Sequence, residues 1–419
     1  MFGSFFSTAV KLIGRSDTLQ LTIDGTDTVA AELRTRVLTE LEAAGFTLRD
    51  GLIEVPKARS KDDIRALHLA QRMALLRHNA RFLDAWEERI LGNWIADGTE
   101  VDPRAISPEI QAVNTHEEAA AFRYATLHWS IPVSQGFGRR TRFLIVDRQN
   151  GRLIGVFALG DPVFNLRVRD SVIGWDAHDR EQRLYNVLDA FVMGALPPYR
   201  DLLGGKLVAL LALSGRTSEI IERKYVGRVT KILGATKSAK PVLITTTSAL
   251  GRSSIYNRLA FKGRALYTSV GYTQGFGHFQ FSNDLFHALR QYLAAAHKLP
   301  GSRYGEGPNW RIRVLRTGLE SLGLKSDLIR HGVQREVFLA PLAKNWKEFL
   351  REGDAPKWAI FDESELTAYF LDRWAIPRSE RDSTYKTRRK TAMRLRPLLA
   401  EQDTEVPDPG PELFPSQWA

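Results

Sequence analysis

Between residues 155 and 281 the chain alternates short apolar runs with helix-like stretches, and Gly, Ser, Thr and Arg gather in the turns between them. This alternation constrains the fold most. Apolar runs joined by helical connections build a sheet that helices cover on both faces. Just upstream, RFLIVD and RLIGVFALG flank Asn150-Gly151, a pair suited to a tight hairpin turn. A further strand is expected within VFNLRVRDSVI. HDREQRLYNVLDAFVMGAL reads as an amphipathic helix with Leu184, Val187, Leu188, Phe191 and Val192 inward, ended by Pro197-Pro198. KLVALLALS reads as a buried strand and RTSEIIERKY as a helix start. PVLITTTS reads as a strand, SSIYNRLAF as a short helix, RALYTSVGY as a strand and SNDLFHALRQYLAAAH as a helix. The expected class is mixed α/β, a central mixed sheet flanked by helices.

The flanking regions read differently. Residues 27 to 44 place Ala30, Leu33, Val37 and Leu41 on one helical face, with Gly45 as a stop. Asp50-Gly51 then signals a hairpin. Residues 61 to 96 repeat Leu69, Met73, Leu76, Ala80, Leu83, Ile90 and Leu91 at helical spacing, as one long helix would. The expected organisation is a mostly helical region over 1–110 and a central α/β domain over 111–299. An α+β region with a basic tract over 300–396, including a helix in ESELTAYFLDRWA, and a Pro-rich tail over 397–419 complete it.

Composition narrows the chemistry. The 419 residues include no cysteine, which excludes disulfides, thiolate zinc sites and cysteine nucleophiles. The apolar start, MFGSFFSTAVKLIG, reaches its first basic residue only at Lys11, unlike a secretory signal. No apolar run approaches the ~20 residues that span a bilayer. A soluble, cytoplasmic protein is expected. The formal charge of +11 favours polyanionic partners, nucleic acid above all. One basic tract runs from Lys57 to Arg81. A second places Lys386, Arg388, Arg389, Lys390, Arg394 and Arg396 within eleven residues, where Met393 and Leu395 provide little apolar face. On a helix these cations cover much of one side. They suit a phosphate-tracking arm, a dock for an acidic partner or a solvated helix end, and the arm is the favoured reading.

Several turns carry candidate chemistry. Gly251, Arg252, Ser253 and Ser254 follow a strand and open a helix, where unpaired amides and a guanidinium can hold a phosphate. Serine capping explains the same residues. GFGRR supplies Arg139 and Arg140 beside glycines, and GYTQGFGHF is a second glycine-rich segment with aromatics. Asp161, Asp170 and Asp176 are close in sequence but lack a nuclease spacing, and no metal is assigned. His278 and His331 are lone histidines, more often structural than catalytic. Trp129, Trp175, Trp310 and Trp346 suit core packing better than base stacking. No GxSxG, P-loop or zinc-ligand pattern is present, so no catalytic residue and no cofactor is named, and enzyme or not stays open.

Two resemblances follow. The element order resembles acetyltransferases of the GNAT superfamily, although closely spaced glycines are missing after LALS, where Gly215 stands alone. More specifically, the chain carries WSIPVSQGFGRR with RFLIVD, ALGDPVFNLRVRDSVIGWD, DAFVMGALPPYRDLLGGKLVA, TTTSALGRSSIYNRL, GYTQGFGHF, GPNWRIRV and RHGVQREVFLAPLAKNW, in that order. These motifs, over roughly residues 28 to 350, resemble the family of the DruA protein of the Druantia anti-phage system. The resemblance implies a role in bacterial defence beside other proteins, including a large helicase. Related domains beside transposase-like modules point to DNA. An enzyme on an acyltransferase-like core and a transposase-associated DNA-binding protein are the alternatives.

Overall fold

The computed structural model describes residues 25–49, 52–54, 60–133, 138–229, 234, 236, 239–301 and 308–400. The chain's first apolar stretch, Asp50-Gly51, Lys57 and Arg59, Gly136 of GFGRR, and the tail beyond residue 400 lie outside them.

Helix α1 (Gly25–Ala43) leads to a small antiparallel pair, β1 (Thr47–Arg49) and β2 (Leu52–Glu54). The expected long helix is three: α2 (Lys61–Leu67), α3 (Leu69–His78) and α4 (Ala80–Trp94). The breaks fall at His68 and Asn79, both buried. Asn79 donates its side-chain amide to the Leu75 carbonyl (2.7 Å) and accepts from Arg123 Nε (2.7 Å), so it competes with the helical backbone.

The main sheet opens with β3 (Pro108–Ala112), crosses through α5 (His116–Leu127), and continues with β4 (Arg140–Asp147) and β5 (Arg152–Gly160) around the expected Asn150-Gly151 turn. Three expectations are then corrected. VFNLRVRDSVI is not a strand; it contains α6 (Arg167–Ile173). The Asp170 carboxylate accepts from the Leu166 amide ahead of that helix, and Gly174 ends it at φ 86°. HDREQRLYNVLDAFVMGAL is only in part helical: α7 (Ala177–Arg183) stops, and Val187–Ala195 is strand β6. KLVALLALS is helix α8 (Gly204–Leu211), not a strand. Short apolar runs fit either form, and their period alone does not decide.

Then come α9 (Gly215–Tyr225), β7 (Leu243–Thr247), a two-strand finger of β8 (Ala260–Phe261) and β9 (Arg264–Ala265), and β10 (Thr268–Tyr272). The short helix expected in SSIYNRLAF is one 3₁₀ turn, Tyr256–Arg258. Helices α10 (Asn283–Ala295) and α11 (Pro308–Ser321), strand β11 (Glu336–Pro341), α12 (Trp346–Glu352), α13 (Glu363–Phe370), α14 (Ile376–Arg381) and α15 (Pro397–Ala400) complete the order.

The seven-stranded sheet runs β10-β11-β7-β6-β5-β4-β3. Every neighbouring pair is antiparallel except β6 and β7. Those two run parallel for only three residue pairs, Val187↔Leu243 to Asp189↔Thr245, and then part. On its other side β6 continues along β5, with a register shift that leaves Phe191 as a bulge.

Helices α8, α9 and α13 pack one face through Leu207, Leu211, Ile221, Leu366 and Phe370, against Phe143, Leu188 and Phe338. The other face carries two apolar clusters. One unites α3 to α5 with β4 and β5; the other joins α6 and α12 to β7 and β11. Helix α1 packs on α10 and α11, through Val37, Leu41, Leu289 and Leu315. No described helix is long and apolar enough to cross a membrane.

Candidate functional site

The seam between the two clusters of the second face is polar. On β6, Leu188 and Ala190 point to the first face, so the residue between them, Asp189, points to the second. Val187 belongs to one cluster of that face and Val192 to the other. Asp189 Oδ1 accepts a hydrogen bond from Thr245 Oγ1 (2.8 Å), across the last parallel pair. Burial pushes the carboxyl up to about 6, against the Thr245 hydrogen bond and the positive fields of Arg169 and Arg140. A half-buried carboxyl whose pKa is raised in this way is suited to carrying a proton.

Arg169 and Arg140 act on Asp189, and Arg139 and Arg180 lie on neighbouring segments, each held by local partners. Arg169, on α6, is fully buried. Its Nε donates to Asp170 Oδ1 (2.7 Å), and its other nitrogens donate to the carbonyls of Val163 (2.9 Å) and Phe164 (3.0 Å). Arg180 reaches the second oxygen of Asp170 at 3.4 Å. Arg140 lies 3.8 Å over the Phe191 ring, with the bulge presenting that ring. Burial lowers the pKa of Arg140 from its ordinary value, and Asp189 opposes the shift. Arg139 is buried. Its backbone amide and Nε both donate to Asp161 (2.8 and 2.7 Å), Nη2 donates to the Tyr185 carbonyl (2.6 Å), and the guanidinium stacks 3.6 Å over the Tyr185 ring. Gly138, at φ +84°, permits this, since a Cβ there would strike the Asp161 carboxylate. The three aspartates weighed for a metal are thus apart in role: Asp161 and Asp170 pair with arginines, and Asp176 caps α7.

The Ser253 amide of the 251–254 turn is used inside the chain. Glu336 accepts from the Ser253 amide (3.1 Å) and from Asn257 Nδ2 (3.0 Å), and Ser253 Oγ accepts from the amides of Ile255 and Tyr256. Glu336 thus takes one of the amides that the sequence pattern offered to a phosphate. Arg252 and Ser254 remain exposed.

The C-terminal tract is not one helix. It folds as two 3₁₀ turns, Thr384–Thr387 and Lys390–Met393, joined by extended backbone. Met393 and Leu395 are 6% and 2% exposed, so the tract enters the core between its cations, contrary to the sequence reading. Glu87 on α4 accepts from the Leu395 amide (2.6 Å), and Tyr124 donates to the Met393 carbonyl (2.7 Å). Four cations meet carboxylates of the same chain: Arg388 with Asp201 (2.6 Å), Lys390 with Asp97 (3.7 Å), Arg394 with Glu88 (3.0 Å) and Arg396 with Asp84 (2.8 Å). Lys386 and Arg389 are exposed, with no ion-pair partner among the described residues.

Other cations share that state at one edge of the sheet. Arg167 begins α6, whose Val168 packs against Gly271 of β10. The Gly251 carbonyl approaches the Glu336 amide (3.4 Å), which places Arg252 beside residues 334–336. Arg330 lies on the segment that runs along Gly275 and Phe276. Arg167, Arg252 and Arg330 are exposed and have no ion-pair partner among the described residues.

The sequence reading missed a glycine pair at a helix start. It sought one after LALS; Gly204-Gly205 instead opens α8, directly after the β6 connection. The signal was in LLGGKL, hidden by reading KLVALLALS as a strand. The space ahead of it is occupied. Gly204 donates to the Tyr199 carbonyl (2.9 Å), and Ile255 lies 3.1 Å from where a Gly205 Cβ would stand. The wedge opened by β6 and β7 is bridged by Tyr256 and Tyr267, with ring centroids 5.0 Å apart. Tyr267 donates to the Ala209 carbonyl of α8 (2.8 Å) and touches Met193 of β6. Asp189 was also missed. A lone acid in the apolar run VLDAFVMGA was its signal, hidden when that run was read as helix.

The tryptophans in the motifs follow the expectation of packing where buried: Trp175 donates to the Leu350 carbonyl (2.6 Å) and Trp310 to the Pro300 carbonyl (2.9 Å). His278 and His331 have pKa values lowered to about 4 by burial and are neutral at pH 7.

Residues 58–352 match the family described as Druantia protein DruA. The chain is 43% identical over 362 residues to the Druantia protein DruA of Escherichia coli (strain UMEA 4076-1), covering 85% of this chain and 89% of that protein. No solved structure matches.

Proposed function

Because this chain belongs to the Druantia protein DruA family, we propose that it serves in bacterial defence against phage and holds nucleic acid there. It would act beside other proteins of that system, a large helicase among them. The observation that carries the nucleic-acid reading is how the positive charge is distributed. Four cations of the C-terminal tract are met by the chain's own carboxylates, whereas Arg167, Arg252 and Arg330 stand exposed about one edge. Cations without internal partners are the ones that can replace the counterions of a phosphate backbone. Lys386 and Arg389 are the tract residues that remain for the same role.

Titration of a labelled strand and a labelled duplex over a salt series tests this. Affinity should fall linearly on logarithmic axes. Replacing Arg167, Arg252 and Arg330 by alanine should make the slope shallower by about 2 to 3, near 0.7 to 0.9 per phosphate contact. Replacing Arg388, Lys390, Arg394 and Arg396 should leave the slope unchanged. The reverse pattern would move the phosphate contacts to the tract, and no binding at low salt would end the nucleic-acid reading.

An enzymatic alternative has its own support. The strand order with one central parallel pair suits an acyltransferase-like frame, and Asp189 is placed to move a proton. Against acyl-CoA chemistry stands the wedge filled by Tyr256, Tyr267 and Met193. Acetyl-CoA in excess should therefore leave the unfolding midpoint unchanged; an upward shift would favour the alternative.

A further inference from the structure

We propose that the cavity between residues 272–276 and 330–334 holds an unstacked base of single-stranded DNA against the rings of Tyr272 and Phe276. The inference rests on the nucleic-acid reading above and gives it a place.

Two segments form the walls. The Thr273 amide donates to the Arg335 carbonyl (2.9 Å), and the Arg335 amide donates to Thr273 Oγ1 (3.1 Å). The His331 amide donates to the Gly275 carbonyl (2.9 Å), and the Gly277 amide donates to the Ile329 carbonyl (3.0 Å). Glycine is required where the segments cross. Gly275 has φ +72°, and a Cβ on it would lie 3.0 Å from the Gly332 carbonyl carbon. A Cβ on Gly277 would lie 2.9 Å from His331 Nε2. The glycines of GYTQGFGHF thus serve close backbone approach, and the aromatics between them are turned outward.

The cavity measures about 330 Å³ and is lined by Tyr272, Thr273, Gln274, Phe276, Arg330 and Gln334. That is the lower end of the size range for small-ligand sites. Tyr272 and Phe276 are each 44% exposed. Large rings left in water gain free energy when a flat apolar surface covers them. Every nucleobase has such a face, and stacking accepts any of them. The side-chain amides of Gln274 and Gln334 make no hydrogen bond among the described residues. Each offers a donor and an acceptor, as a base edge does. Arg330 adds a cation suited to the phosphate that accompanies the base.

Behind the walls stand three aromatic rings and the Arg335 guanidinium. His68, Phe279 and His331 form a column of rings with centroids 3.9 and 4.7 Å apart, and His331 is the residue Gly277 touches. His68 Nδ1 meets Gln71 at 3.1 Å, and Nε2 meets Arg335 at 3.1 Å. Burial lowers the pKa of both histidines to about 4, so they are neutral at pH 7. In a duplex the base faces are already stacked on each other, which is why the occupant is a base of a single strand.

Fluorescence anisotropy with a thymidine oligonucleotide and an abasic deoxyribose-phosphate chain of equal length tests this. The two carry the same charge and differ in the bases. The protein should bind the base-bearing strand at least ~5-fold more tightly, from about 1 to 3 kcal/mol per stacked base. Tyr272→Ala with Phe276→Ala should remove that preference and leave the abasic affinity unchanged. Tyr272→Leu with Phe276→Leu keeps the apolar bulk, so it should fold and still lose the preference. Arg330→Ala should weaken both strands alike. Equal wild-type affinity for the two chains overturns the base site while leaving phosphate binding standing. Failure to bind either ends both readings. Unchanged preference in the leucine variant also overturns the site. Thymidine monophosphate competing as well as the strand would reassign it to a free nucleotide.

Discussion

Arg139, Arg140, Arg169 and Arg180 and the basic run of residues 386–396 carry the same charge and meet opposite surroundings. The first four guanidinium groups are largely withdrawn from water, and carbonyls, carboxylates and aromatic faces of neighbouring segments hold them. Along the C-terminal tract the cations stay largely at the surface, and the apolar residues between them are the part that is buried. The difference teaches that basic density in a sequence says little about availability. What matters is how many carboxylates and carbonyls the fold brings to each cation, and how much water it leaves.

Arg169→Ala should have the largest effect. It leaves Asp170 buried beside two carbonyls that have lost their donors, a loss of about 3 to 5 kcal/mol. Chemical denaturation should show it. A loss below about 1 kcal/mol, the size of an exposed pair, would erase the distinction between the two regions.

Asp189→Asn sharpens the comparison through pH. Burial raises the folded-state pKa from 3.8 to about 6, so between those values the folded protein holds a proton that the unfolded chain has released. The stabilisation from that proton is fully present below pH 3.8 and is lost as pH rises through about 6. Asparagine removes the dependence. Relative to wild type, the variant should gain up to about 3 kcal/mol between pH 4 and pH 7. A difference that does not change with pH would show that the carboxyl is hydrated.

Within the tract, buried and exposed partners should separate. Glu87→Ala strands the buried Leu395 amide and should cost about 1 to 3 kcal/mol. Replacing Arg388, Arg394 and Arg396 together by alanine should cost no more than about 2 kcal/mol in thermal or chemical unfolding, because these pairs face solvent. If the surface triple costs more than Glu87→Ala, ion pairs rather than burial dock the tract.

Legibility followed the range of the interactions. The Asn150-Gly151 hairpin, the helix over residues 283–295 and the strand in PVLITTTS were readable because turn residues, caps and period lie within a few positions. VLDAFVMGA and KLVALLALS were not, since a short, mostly apolar run satisfies a buried strand and a buried helix alike. That ambiguity hid Asp189 and the glycine pair of α8. The serines at 253 and 254 were legible as a turn, but Glu336, distant in sequence, claims the Ser253 amide.

By itself the sequence determined the α/β class, the family, the absence of cysteine chemistry and the positions of the glycine-rich turns, because composition, motif order and short-range stereochemistry are properties of neighbouring residues. Only the tertiary structure decided which of β6 and α8 was strand and which was helix, and that Arg169 and Arg140 act on Asp189. It also decided that Asp84, Glu88, Asp97 and Asp201 meet the C-terminal cations while Tyr272, Phe276 and Arg330 are left facing water. Burial and charge pairing depend on residues far apart in the chain. Their free energies are settled by which surfaces meet, and local pattern does not record that meeting.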